Sequence, residues 1–320
     1  MSLAACVNSE QSGGTTGPDA GGTGGMMGAA GTGGGSGDSP EIDAGGPGSG
    51  GAGSGGAISV GTGGNAVVDG GGGGRDGAAG GDGSAVGAFG VTSCQPAFEV
   101  ACKPAIQFTN GDPTGKGKVF TNVIPDVDTT MKDIACVVCS MLYRTPDEIP
   151  QNKRPATIKL VLDTHGGVAQ TGNATIQFDL NYINGYANQS AAITKQEMLG
   201  VLQHETVHVY QNYGNTGTGE GEADLVRTRM GYYLRNRWQK GGSWKDPYTN
   251  SGFFYSWLTG PCSFHSENYP QHDLDFPYKL NKALGNTSGD ASFTAVDNLL
   301  KQLFGKGADE LWQIYQMTAF

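Results

Sequence analysis

Residues 194–233 read TKQEMLGVLQHETVHVYQNYGNTGTGEGEADLVRTRMGYY, and the pentapeptide HETVH at 204–208 decides the interpretation of the chain. A helix places residues i and i+4 on the same face. His204 and His208 are therefore predicted to present two imidazole nitrogens to one metal ion, with the Glu205 carboxylate beside a position left for water. The alternative is a solvated helix face that carries histidine and glutamate by chance.

A third ligand is predicted twelve residues after His208, where Glu220 begins a second helical pattern. A glutamate from a following helix completes a His₂Glu site with water in the fourth position, which is typical of catalytic zinc. Asp224 lies one helical turn further on and is predicted to accept the outer N–H of a ligand imidazole. Glu222 is rotated roughly 200° from Glu220 and is predicted to be solvated. We therefore expect one catalytic Zn²⁺, bound by His204, His208 and Glu220.

The stretch HETVHVYQNYGNTGTGEGEADLVRTRMGYY resembles the signature of the plant and bacterial basic secretory protein peptidases, with its H-E-x-x-H-x-x-Q and E-G-x-A-D-x-V-R patterns. GGVAQTGNATIQFDLNYING and LLKQLFGKGADELWQIY resemble the family's segment before the active helix and its C-terminal helices. The resemblance runs from about Gly117 to Tyr315. It implies a zinc metallopeptidase, and it assigns the ligand glutamate to Glu220 rather than Glu222.

The expected reaction is peptide-bond hydrolysis by water that the metal acidifies. Glu205 is the predicted general base, which later passes the proton to the leaving amine. The oxyanion needs a further donor, and the resemblance favours Tyr248, with Tyr255 and His265 as alternatives. Arg227 is expected to pair with a carboxylate rather than to contact the substrate.

The folded part is predicted to be an α+β domain of the zincin type over residues 94–320, with a small mixed sheet, the H-E-x-x-H helix and C-terminal helices. The sequence patterns predict a short strand or an approach segment at Val119–Ile124, a helix at Asp126–Tyr143 and strands at Thr157–Leu162 and Ala174–Leu180. They also predict a capping box of Thr194 and Glu197 before the motif helix, and helices near Phe293–Phe304 and Ala308–Gln316. The resemblance implies that Ala174–Leu180 is an edge strand along which a peptide substrate lies. No apolar run is long enough to predict a transmembrane segment.

Residues 1–93 are predicted to be a disordered linker. Between Gly13 and Gly90 glycine alternates with Ser, Thr, Ala and Asp, and aromatic or branched apolar residues are almost absent. Such a segment cannot bury enough surface to offset its ordering entropy. It has no strict G-x-y period, which excludes a collagen helix. Its expected span is on the order of 50 Å root-mean-square.

The tetrad Leu3-Ala4-Ala5-Cys6 resembles the lipobox at which bacterial lipoprotein signal peptides are cut and the cysteine is acylated. The charged and apolar regions of a signal peptide would have to precede Met1, and the alternative is an accidental match. A flexible spacer directly after Cys6 favours a lipid anchor, because a surface-anchored domain needs one. The predicted location is therefore outside the cytoplasm, as a bacterial cell-surface or outer-membrane lipoprotein or as a secreted protein.

Five further cysteines, an odd number, require at least one unpaired thiol. They are Cys94, Cys102, Cys136, Cys139 and Cys262. Cys94 and Cys102 are expected to form a local disulfide, which suits an exported protein. Cys136 and Cys139 form a C-x-x-C on an apolar helical segment. They are interpreted as buried helix residues, one of them disulfide-bonded, rather than as a redox or metal pair, since no second C-x-x-C completes a Cys₄ zinc site.

The formal net charge of −10 and the pI of about 4.9 argue against nucleic acid or an anionic membrane as a partner. The expected partner is a protein or peptide substrate, and the chain is expected to be a monomer. Pro261–Phe276 is interpreted as a surface loop, with a lid or specificity loop as the alternative. A second metal site at His265 and His272 is a weaker hypothesis.

Two other functions fit the same motifs. One is a zincin-fold cell-envelope binding module that keeps its metal for structure, and the other is a zinc amidase acting on cell-wall peptides. A closed structural site needs a fourth protein ligand, and the sequence offers none near the motif, so a peptidase is favoured. Only a panel of substrates separates the amidase from an ordinary peptidase.

Overall fold

The structure is a computed structural model that describes residues 94–212, 216–232, 240–259, 272–285 and 287–318. Within these ranges the chain forms an α+β domain, which confirms the predicted class. None of the described helices combines the length and apolarity that a membrane crossing requires. The predictions for Cys6, Cys262, His265 and the linker fall outside the described residues.

Four strands form one mixed sheet. They are β1 (Ala105–Asn110), β2 (Thr157–Asp163), β3 (Ala169–Gly172) and β4 (Thr175–Asp179), in the order β1-β2-β4-β3. β2 runs parallel to both β1 and β4, whereas β3 pairs with β4 as an antiparallel hairpin. Asn173 and Ala174 both have positive φ, 49° and 55°, which the tight two-residue turn of this hairpin uses.

Nine α-helices are described along the same ranges. They are α1 (Lys116–Val123), α2 (Val127–Leu142), α3 (Leu180–Gly185), α4 (Ala191–Tyr210), α5 (Thr216–Arg229), α6 (Thr249–Trp257), α7 (Phe276–Leu284), α8 (Asp290–Phe304) and α9 (Ala308–Thr318). The predicted helix at Asp126–Tyr143 is confirmed as α2, and the two predicted C-terminal helices are confirmed as α8 and α9.

The sheet buries one face, as the alternation in β2 requires. Ile158, Leu160 and Leu162 are fully buried, while Lys159 between them is exposed. The buried face joins apolar residues of α2 and α4 in one hydrophobic core. The sheet therefore supports α4, which carries the H-E-x-x-H motif.

Two strand predictions are corrected. Thr157–Leu162 and Ala174–Leu180 are confirmed as β2 and β4, but β4 lies between β2 and β3, so its predicted edge position is wrong. β3 is the edge strand beside it among the described strands. The strand predicted at Val119–Ile124 is also wrong. Those residues continue α1, because Phe120 and Ile124 lie one helical turn apart and are buried together.

The predicted start of the motif helix is also corrected. α4 begins at Ala191, and the Ser190 side chain caps it by accepting a hydrogen bond from the Ile193 amide. Thr194 and Glu197 lie inside the helix and are buried, so they do not form the predicted capping box.

The disulfides differ from the predicted pairing. Cys94 is bonded to Cys136 and Cys102 to Cys139, with Cα separations of 5.2 and 6.2 Å. The predicted local Cys94–Cys102 bond is therefore wrong. Cys136 and Cys139 are buried in a helix as predicted, but both of them, rather than one, are disulfide-bonded, so the C-x-x-C is neither a redox pair nor a metal pair. Cys136 and Cys139 are three residues apart on one face of α2, so the segment that packs across this face meets both.

A second core lies in the C-terminal half and is rich in aromatic residues. Phe254 and Trp257 of α6 pack there against Trp312 and Tyr315 of α9, and Tyr255 packs against Phe276 of α7. α5 belongs to both cores, since its Ala223 and Val226 join the first and its Leu225 joins the second. The helix that carries Glu220 is thus buried between the two halves.

Candidate metal centre

The two motif histidines lie near the C-terminal end of α4, as the i and i+4 spacing predicts. The His204 and His208 ring centroids are 4.8 Å apart, and their Nε2 atoms approach to 3.1 Å. His204 is 1% exposed, whereas the His208 side chain is 15% exposed. Two imidazole nitrogens therefore converge on one point.

Glu220 meets this pair from α5. Its Oε2 lies 2.9 Å from His204 Nε2 and 3.3 Å from His208 Nε2. The three potential ligand atoms all lie within 4.8 Å of one another. Gly200 of α4 permits the close approach of α5, because a Cβ at this position would lie 2.6 Å from Arg227 Nε. The structure thus brings together a possible His-His-Glu metal-binding triad.

The outer nitrogens of both imidazoles have partners. Asp224 Oδ1 lies 2.7 Å from His204 Nδ1. An ionised carboxylate can only accept, so it stabilises the tautomer in which Nδ1 carries the proton and Nε2 keeps its lone pair. Gln211 Nε2 lies 2.9 Å from His208 Nδ1. An amide nitrogen can only donate, so as placed it suits the tautomer that carries the proton on Nε2, and a flip of the amide that presents Oε1 to Nδ1–H gives the same tautomer as in His204. Gln211 was not predicted as a site residue, although its spacing of three from His208 places it on the same helical face.

The charges of the triad reinforce one another. Burial disfavours the ionised Glu220, but the neighbouring His208 and His204 outweigh it, so the pKa of this carboxyl is lowered far below its usual range. Burial also disfavours protonated His208, but Glu220 stabilises it enough to raise its pKa. A proton and a metal cation compete for the same imidazole nitrogen, so cation binding at this site would release protons.

Glu205 is 1% exposed, and its carboxylate is hydrogen-bonded to a residue of the sheet. Thr171 Oγ1 donates a hydrogen bond to Glu205 Oε2 over 2.6 Å. Thr171 belongs to β3, the strand at the edge of the described sheet. Thr171 was not predicted as a site residue, because the four residues AQTG of β3 carry no apolar alternation that would reveal a strand.

Tyr248 is the proposed oxyanion donor that the structure brings to the histidines. Its ring stacks on His204, with centroids 6.1 Å apart and an interplanar angle of 24°. Its φ of 60° is a strained value for a non-glycine residue, and such strain is often found at functional sites. The alternative, Tyr255, is fully buried in the second core beside Phe254 and Phe276, where burial raises the pKa of its hydroxyl far above the usual range.

Two further charged side chains of α5, Glu222 and Arg227, lie inside the protein. Glu222 was predicted to be solvated, and this is wrong: it is fully buried, because α5 lies between two cores and its far face meets protein. Burial raises the pKa of its carboxyl well above the usual value, although Lys153 partly offsets the effect. Arg227 forms the expected pair with a carboxylate, at 2.9 Å from Glu197 Oε1. That pair joins α5 to α4.

The second predicted metal site gains no support from the described residues. His272 lies outside the cluster of metal-ligand types found among them. Its expected partner, His265, lies outside the described residues. The surface loop predicted at Pro261–Phe276 also falls mostly outside them, and its last residue is the first of α7.

One protein family matches the chain. The family described as BSP, peptidase of plants and bacteria, matches residues 103–315, about two thirds of the chain. The matched residues begin just before β1 and end within α9, so they include the whole triad. No curated protein and no solved structure matches.

Proposed function

The chain belongs to the peptidases of plants and bacteria, and from that premise we propose that it is a zinc-dependent peptidase of the zincin type. The observation that carries the proposal is the convergence of His204 Nε2, His208 Nε2 and Glu220 Oε2, with Asp224 behind His204. Two imidazoles and one carboxylate are the donor set of many catalytic zinc sites. The family match over residues 103–315 confirms the resemblance noted from the motifs.

The residues fit a zinc ion in number and in kind. His204, His208 and Glu220 would hold it, and Asp224 would orient the first imidazole. Bound there, zinc would acidify a water molecule and polarise the carbonyl of the scissile bond. Among the described residues the cluster contains three donors, which leaves a coordination position for water and argues against a closed structural site.

The protein's own groups would carry the proton transfers. Glu205, next in sequence to His204, would take the proton from the attacking water and return it to the leaving amine. Tyr248, stacked on His204, would donate from its hydroxyl to the oxyanion that forms at the carbonyl. Both assignments use side chains that contact or adjoin a triad histidine.

The substrate would lie along β3. Among the described strands, β3 lies at the edge of the sheet and packs beside α4. The main chain of an edge strand can pair with an extended peptide whatever its side chains. This replaces β4, which has partners on both sides. The class of substrate is therefore a protein or peptide segment in extended conformation.

The proposal includes export. The two disulfides of the described residues suit an oxidising compartment. Residues 1–93 would then serve as a tether, anchored by acylation of Cys6. Labelling with radioactive palmitate in a bacterial host tests the anchor, and equal label on Cys6→Ser and wild type excludes it.

The decisive experiment measures metal and activity on one preparation of the full chain. We expect about one zinc per chain and hydrolysis of casein that stops on removal of zinc by 1,10-phenanthroline and returns when zinc is restored. His208→Ala is the matched variant and should lose both zinc and activity. Casein hydrolysis by a preparation from which all zinc has been removed, or full zinc occupancy in His208→Ala, would overturn the proposal.

A further inference from the structure

Thr171 is the residue of the sheet that touches the motif glutamate. Its Oγ1 lies 2.6 Å from Glu205 Oε2 and 3.2 Å from the Glu205 carbonyl oxygen. A threonine hydroxyl has one proton, and the shorter contact, to the carboxylate, is the one that receives it. At this length an O–H···O⁻ bond is in the range of strong, charge-assisted hydrogen bonds.

The hydroxyl is itself rigidly placed. Thr171 is paired with Ile176 of β4, so its backbone is fixed by the hairpin. Threonine is branched at Cβ, which restricts rotation about χ1. β3 in turn packs against α4, the helix of Glu205. The contact therefore joins two regular elements rather than a loop and a helix.

The main chain of Thr171 faces away from β4, on the side where the described sheet has no further strand. Asp179 N donates to Val168 O over 2.9 Å, which makes residues 168 and 179 a hydrogen-bonded pair of the antiparallel ladder. Such pairs alternate along a ladder, so Gln170 and Gln177 form the next one, and Thr171 with Ile176 does not. The N–H and C=O of Thr171 thus point away from β4, toward the side where an extended peptide could pair.

We propose that Thr171 is a positioning residue for the proposed peptidase reaction: its hydroxyl orients the Glu205 carboxylate while its main chain pairs with the substrate strand. The inference rests on the proposed function. A glutamate side chain has three torsions, and a hydrogen bond to one carboxylate oxygen sets the direction of the other. Base and substrate are then aligned by the same residue, so the water is held between them.

The test replaces Thr171 in the full chain by Val and by Ser. Valine keeps the shape and the strand preference but removes the hydroxyl, whereas serine keeps the hydroxyl. Thr175→Val is the matched control. Thr175 lies on the neighbouring strand opposite Gly172, so this variant carries the same threonine-to-valine change at a position away from Glu205. For each variant we measure zinc content, kcat and KM on a fluorogenic peptide.

We expect Thr171→Val to keep its zinc and its KM and to lose about tenfold or more in kcat, as removal of a hydrogen bond to a charged group does. Thr171→Ser should restore kcat to within about threefold of wild type. Thr171→Val with wild-type kcat, or with loss of zinc or of folded protein, would overturn the positioning role. None of these results would touch the proposed function, which is tested separately by the zinc and activity measurements on the wild type, His208→Ala and Glu205→Gln.

Discussion

The two helices that form the candidate centre use acidic and imidazole side chains in different ways. On α4, His204, Glu205 and His208 have relations that follow from the helical repeat alone. On α5 three acidic residues have three different surroundings. Glu220 lies against the histidine pair, Asp224 lies against the His204 imidazole, and Glu222 is buried in the core. The spacing of residues within one helix therefore predicts which side chains share a face, but it does not predict which other elements pack against each face.

The comparison is sharpest between Glu220 and Glu222. Both carboxyls are buried, and their pKa values move in opposite directions: the neighbouring histidines lower the pKa of Glu220 despite its burial, while burial raises the pKa of Glu222 despite the opposing charge of Lys153. Neither Glu222 oxygen has a hydrogen-bond partner among the described residues. Two residues along a helix thus separate an ionised ligand candidate from a carboxyl that prefers to stay protonated.

The largest expected effect comes from the base on α4. Glu205→Gln keeps the size of the side chain and leaves both histidines intact, so zinc should stay bound. Turnover of casein should fall by several powers of ten, since the base and the proton shuttle are lost together. Zinc content and kcat measured on the same sample check this, and near wild-type turnover would exclude Glu205 as the base.

The two glutamates of α5 should differ next. Glu220→Ala removes one of three ligands and should weaken zinc binding by more than about 100-fold, beyond the range for a residue behind a ligand. Glu222→Ala should keep zinc binding, although the loss of a buried side chain lowers stability. Zinc titration in a competing chelator compares the two variants. The reverse ranking would show that the wrong glutamate has been assigned.

A smaller loss is expected from the partner of the first imidazole. Asp224→Asn keeps the shape but weakens the hold on His204 Nδ1–H, so zinc affinity should fall roughly 10- to 100-fold. The same titration measures it. An affinity equal to wild type would mean that Asp224 does not set the tautomer of His204.

The smallest effect concerns pH and stability. In the folded protein the pKa of Glu222 is raised above its ordinary value of 4.5. The contribution of the protonated Glu222 to folding stability is therefore fully present below pH 4.5 and is lost as the pH rises toward the folded pKa. Wild type should therefore lose stability with rising pH by up to about 1.4 kcal/mol per unit more than Glu222→Gln. Urea unfolding of both full chains in chelator, from pH 5 to 8, gives the slopes.

Glu310→Gln is the matched surface control for that experiment, because the Glu310 side chain is 56% exposed. Its slope should equal that of wild type. Parallel slopes for Glu222→Gln and wild type would show that Glu222 is ionised in the folded protein.

Much of the fold was predictable where periodicity was strong. β2, α2, α8 and α9 carry clear apolar patterns and were identified, as was the motif helix. α1 was misread because Val119, Phe120 and Thr121 favour strands, while the helical spacing of Phe120 and Ile124 decides the outcome. β1 and β3 were missed, since β1 exposes most of its side chains and the four residues of β3 carry no apolar alternation.

By itself the sequence determined the spacing of His204, Glu205 and His208 and the membership of a peptidase family, because both depend on residues close together in one chain. Only the tertiary structure decided which residues from distant elements meet them. Thr171 reaches Glu205 from the sheet, Cys136 and Cys139 find partners outside α2, and Glu222 is buried. The physical reason is that helix geometry is local, whereas these contacts depend on how two cores close around α5.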